Sequence, residues 1–100
     1  MKYEVKFPNS SLENKFEKML LKIPERNIRQ RITKEIEALA DNPRPDGKKT
    51  KKLKPPVHLY NLTAEYRLRI GSYRVLYDID DSKKIVWILV LRKRSEKSYK

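Results

Sequence analysis

After residue 50 the spacing of apolar residues changes from helical to alternating, which restricts the chain to folds placing a helical unit before a run of strands. Upstream of the change, Leu12, Phe16, Met19, Leu20 and Ile23 recur at intervals that put them on one helix face. Ile28, Ile32, Ile36 and Leu39 form a second such stripe, ringed by Arg26, Arg29, Arg31 and Lys34. Pro24 lies between the stripes; it stops the first helix and suits the first turn of the second. Ser10 followed by Glu13 matches a capping box, each side chain satisfying an amide that the other's turn exposes. Ahead of both helices, Tyr3, Val5 and Phe7 alternate with Glu4 and Lys6, a short strand ended by Pro8 and Asn9.

Downstream, Tyr66, Leu68 and Ile70 alternate with Glu65, Arg67 and Arg69. Gly71 and Ser72 make a tight link, and Val75, Tyr77 and Ile79 then alternate with Arg74, Leu76 and Asp78, which reads as a hairpin. Asp80, Asp81 and Ser82 supply the next turn, and residues 84–92 (KIVWILVLR) are apolar on both faces, as in a strand flanked on both sides. Leu59 to Leu62 reads as one further short strand. The chain is thus expected to be a single α+β domain. An N-terminal strand and an antiparallel helical hairpin (1–40) lead through a basic loop (41–56) to antiparallel strands (57–92) and a basic tail (93–100). The hairpin would pack on one face of a three- to five-stranded, mainly antiparallel sheet, leaving the other face free.

What such a free face does depends on charge. The chain carries 25 Lys and Arg against 13 Asp and Glu, a net +12, with +4 in residues 1–50 and +8 in residues 51–100. A field of this size attracts polyanions: nucleic acid, an anionic membrane surface or an acidic protein. With no cysteine and one histidine, the chain has no disulfide framework, thiolate nucleophile or sulfur- or histidine-based metal site. The longest apolar run, residues 85–91, is far shorter than a membrane span, and the start of the chain does not resemble a signal peptide, so a cytoplasmic location is expected.

Three groups of residues could carry function. Arg67 and Arg69 are two apart and leave one strand face together, and the hairpin returns Arg74 beside them. Guanidinium groups so placed repel one another unless an anion lies between them, and their planar forks fit phosphate oxygens in pairs. The simpler reading is a solvated strand face. At the C-terminus Arg92, Lys93, Arg94 and Tyr99 continue from the apolar strand, Tyr99 able to stack on a base or move a proton. Lys48, Lys49, Lys51, Lys52 and Lys54 suit contacts to a nucleic-acid backbone, or form a solvated linker. His58 reads as a packing or surface residue, Trp87 as core, and Asp78, Asp80 and Asp81 as a turn rather than a metal site.

The order of strand, helical hairpin, lysine-rich stretch, YRLRIGSYRVLYDID, VWILVLR and a basic ending in SYK resembles the RelE/ParE superfamily of toxins from toxin–antitoxin pairs, over nearly the whole chain. The resemblance implies a ribosome-dependent mRNA endonuclease that uses the RNA 2′-hydroxyl and needs no cofactor or metal. It names Arg67, Arg69, Arg74, Arg94 and Tyr99 as catalytic positions. Both positions after Tyr66 hold arginine where well-known RelE enzymes often carry lysine, and an arginine keeps its proton, which argues against a general-base role for Arg69. The implied partners are a RelB-like antitoxin with an acidic or amphipathic segment, the ribosome and mRNA, with operator DNA reached only through the antitoxin. ParE-like members share the fold and inhibit DNA gyrase instead; a non-catalytic regulator is a further alternative.

Overall fold

The computed structural model describes residues 2–44, 49–59 and 61–93. The elements run β1 (Glu4–Lys6), α1 (Ser10–Leu21), α2 (Arg26–Ala38), β2 (Thr50–Leu59), β3 (Leu62–Ile70), β4 (Tyr73–Asp80) and β5 (Ile85–Lys93). The five strands form one sheet in the order β1-β5-β4-β3-β2, with β1 parallel to β5 and the other pairs antiparallel.

Both helices bury their stripes on one sheet face. Phe16, Ile23, Ile32 and Leu39 meet Leu68, Ile70, Val75, Tyr77, Val86, Ile88 and Leu91, while Tyr3, Val5 and Phe7 close the β1 side. Phe7 and Phe16 meet edge to face at 5.2 Å. The turn between the helices is held by Arg29, whose guanidinium donates to the carbonyls of Ile23 and Pro24. Tyr77 is fully buried, and its hydroxyl donates to the Pro43 carbonyl at 2.7 Å, pinning the chain that leaves α2 onto the sheet. Burial pushes the Tyr77 phenol well up from its ordinary value, with Tyr66 adding to the shift, so this donor stays protonated. Beside it Arg44 reaches both Asp81 and the Tyr66 hydroxyl, and the Tyr3 hydroxyl donates to the other Asp81 oxygen at 2.5 Å. These contacts tie the start of β1, the chain after α2 and the β4–β5 turn together.

Several local expectations are corrected. The N-cap of α1 is Asn9, whose side chain accepts from the Leu12 amide at 2.9 Å; Ser10 is already helical, so the capping box does not form. The second helix starts at Arg26 with Glu25 as its cap, so Pro24 belongs to the connection. The basic stretch expected to be a loop is strand from Thr50 onward, and Leu59 and Leu62 are the end of one strand and the start of the next. Two prolines hide this strand from a propensity reading. Pro55 and Pro56 fall where the β2–β3 register breaks between Lys52 and Val57, at a sheet edge, the setting in which missing amide donors do least harm.

The face away from the helices is not wholly free. Pairing of β3 with β4 runs only from Tyr66 to Ile70, so the first residues of β3 are released from the β4 ladder. Their side chains and those of distal β2 (Leu53, Val57, Leu59, Leu62 and Ala64) pack with Leu76, Leu89, Trp87 and Val90, and Leu12 of α1 joins them. Leu76 lies opposite Arg67 on the face turned from the main core, yet only 2 % of it is exposed. Trp87 belongs to this second cluster and is half-buried.

Candidate nucleic-acid interface

Strand pairing decides which cations share a surface. Arg69 lies directly opposite Arg74, and Arg74 directly opposite Arg92, so the three form a row across β3, β4 and β5. The next row on this face begins with Lys51 opposite Arg67 and continues into Leu76 and Val90. Neighbouring strands are about 4.8 Å apart, so the backbone sets the bases of these three side chains at roughly that pitch across the sheet. The turn that creates it depends on Gly71, which holds φ at +57° at the first central position of a two-residue link. Arg69 and Arg92 are exposed, whereas Arg67 and Arg74 are half-buried, so the row stands on an anchored base. The Arg67 guanidinium also points at the Lys49 carbonyl, 3.5 Å away.

The arginine triplet read from the sequence, Arg67, Arg69 and Arg74, is therefore brought together. Arg92 joins it as an equal member of the row, a position the sequence reading did not give it. A register shift decides this: pairing moves by one residue between Leu76 and Tyr77, leaving Leu89 as the extra residue on β5. Without that bulge Arg74 would oppose Leu91, and Arg92 would turn to the helix face.

The lysines divide. Lys51 stands on the arginine face, while Lys52 lies opposite Tyr66 and Lys93 opposite Tyr73, both in rows belonging to the helix face. Lys54 falls within the register break and is exposed. Lys49 is engaged elsewhere, its ammonium 2.9 Å from Glu35 of α2. Lys48, Arg94 and Tyr99 lie outside the described residues. His58 is exposed on β2 beside Thr63, their polar atoms 3.3 Å apart. The three aspartates also separate. Asp80 accepts from Ser82 and the Lys83 amide, bonds that hold its carboxyl below the ordinary range; Asp81 is likewise lowered, by Tyr3 and Arg44; Asp78 is raised by burial. Among the described residues no group of acids, histidines or cysteines is disposed to hold a metal ion, and no helix is long and apolar enough to cross a membrane.

A helical hairpin on a five-stranded sheet whose other face carries a row of arginines is a RelE-like architecture, and solved toxin structures carry the same fold. The archaeal RelE–RelB complex from Pyrococcus horikoshii OT3 is similar at 29% identity, covering 96% of this chain and 99% of that one, with a TM-score of 0.70. The toxin–antitoxin complex RelBE2 of Mycobacterium tuberculosis is similar at 26% identity, over 94% of this chain and 100% of that one, with a TM-score of 0.64. The isolated E. coli RelE toxin, at 17% identity over 96% of this chain and 88% of that one, shares the fold with a TM-score of 0.56. No curated protein matches the chain. Residues 11–98 match the family model for the ParE toxin of the type II toxin–antitoxin system parDE, and the chain belongs to that toxin family.

Proposed function

We propose that this toxin acts as a ribosome-dependent mRNA endonuclease, with the Arg69–Arg74–Arg92 row and the adjoining Arg67 and Lys51 gripping the message at the cleaved linkage. The observation that carries the reading is the direct opposition of three arginines across neighbouring strands. Directly opposed like charges destabilise a sheet, and an anion seated on the row relieves that repulsion. In the reaction the 2′-oxygen attacks the adjacent phosphorus as it loses its proton. The bond from phosphorus to the 5′-oxygen breaks, and that oxygen takes up a proton, leaving a cyclic phosphate and a free 5′-hydroxyl. Arg74, with Arg92 or Arg94, would hold the non-bridging oxygens and stabilise the charge that grows on them. Arg67 and Arg69 would position the strand and raise the local positive potential. An arginine does not give up its proton in such a site, so proton transfer falls to Tyr99. The ribosome would orient the message, making free RNA a poor substrate.

Primer extension on translated messages tests this. Wild-type protein should cut, Arg74→Ala should cut about a hundredfold more slowly, and Tyr99→Phe should also be impaired. Undiminished cleavage by both variants would remove the assignment. The family match favours a second reading, inhibition of DNA gyrase without any RNA cut. Loss of supercoiling in a purified gyrase assay, with intact messages, would decide for it. In either case the antitoxin partner follows from membership in the family and from the complexes of the similar structures.

A further inference from the structure

A cleft of about 350 Å³ opens between the released end of β3 and the far ends of β4 and β5, lined by Leu62, Thr63, Asp78, Asp80, Lys83 and Trp87 among others. Asp78 and Trp87 face each other across the β4–β5 ladder, putting a carboxylate beside an indole. Asp80 is committed to the turn through Ser82 and the Lys83 amide, so Asp78 is the acid left for a ligand. Asp78 is half-buried, meets the Ile79 amide, and makes no ion pair with any described residue. Burial, and then the nearby Glu65 and Asp80, push its pKa up, and the Ile79 amide offsets this only in part. In a chain of net +12, a half-buried carboxylate that meets no cation among the described residues is conspicuous.

We propose that this cleft receives an arginine side chain from a protein partner, its guanidinium stacked on Trp87 and forked onto Asp78. A planar cation gains twice there, from the indole face and from paired hydrogen bonds to the carboxylate; a lysine ammonium cannot match the second geometry. The cleft walls exclude water on one side, which is where an arginine anchor contributes most at an interface. A nucleotide is disfavoured because its phosphate would approach Asp78 and Asp80 together. The arginine row does not compete for the same ligand, since the buried Leu76 lies between Arg74 and Asp78 along β4. Arginine binding in the cleft is therefore independent of any RNA cleavage at the row.

Trp87 is the only tryptophan in the chain, so its fluorescence reports on this cleft alone. The purified full chain is titrated with a blocked Gly-Arg-Gly tripeptide, with Gly-Lys-Gly, and with guanosine monophosphate. Gly-Arg-Gly should quench saturably and bind at least about threefold tighter than Gly-Lys-Gly, with guanosine monophosphate weakest. Asp78→Asn should weaken Gly-Arg-Gly by about tenfold, and Lys83→Glu, on the exposed turn, should tighten it. The opposite directions separate a lost ligand contact from a damaged fold. Quenching by the nucleotide but not by Gly-Arg-Gly would make the cleft a base subsite and overturn the inference. So would a flat response to all three probes, or equal Gly-Arg-Gly binding by wild type and both variants.

Discussion

Replacing Arg69 by glutamine should make this protein more stable and a poorer ligand for RNA, both through the same charge. Arg69 is exposed and directly opposite Arg74, with Arg67 two positions along its own strand. Side chains so opposed have Cβ atoms about 5 Å apart, and two unit charges at that distance in water repel by roughly 0.8 kcal/mol. Long side chains splay apart, so about 0.5 kcal/mol of relief is expected, within the ~0.2–1 kcal/mol range for cross-strand pairs. For a domain of this length, that raises the melting temperature by roughly 2–4 °C. Glutamine keeps most of the aliphatic stem, so the change tests charge rather than packing. Melting curves should show the gain at low ionic strength and lose most of it near 1 M salt, where the screening length falls to about 3 Å. In parallel, the salt dependence of single-stranded RNA binding should lose about 0.7 from its log–log slope, one phosphate contact. If Arg69→Gln melts lower than wild type in low salt, or binds RNA with an unchanged slope, the row is not a strained anion site.

Tyr77→Phe removes the hydroxyl that serves the buried Pro43 carbonyl, and should cost about 1–3 kcal/mol in chemical denaturation with little change in shape. Leu76→Ala tests the second cluster; a loss of roughly 2–5 kcal/mol is expected because the residue is 2 % exposed, whereas a solvated open face would give almost none. The Asp81 carboxyl is held below its ordinary value by Tyr3 and Arg44. Its stabilisation is therefore present above the unfolded carboxyl pKa of about 3.9 and lost as pH falls through the folded value. The difference in melting temperature between wild type and Asp81→Asn should accordingly be visible at pH 6 and vanish near pH 2.

The sequence alone determined the element types wherever apolar spacing was long and regular: both helices, the hairpin around Gly71 and the apolar strand ending at Arg92. It also determined that Arg69 and Arg74 would meet, because a two-residue turn leaves no freedom in register. What it could not determine were features that arise between strands distant from any tight turn. The extra residue at Leu89 brings Arg92 into the row, and no local pattern marks it, because Ile88, Leu89 and Val90 are equally apolar on both sides of the slip. The same holds for β2: its lysines and prolines read as loop, and only an exposed edge beside β3 makes them strand. Alternation then sends Lys51 and Lys52 to opposite faces. The second core, too, depends on β3 leaving the β4 ladder before Tyr66. Local periodicity reports how a segment can bury its own side chains; which neighbour it slides against, and by how many residues, is a property of the packed sheet.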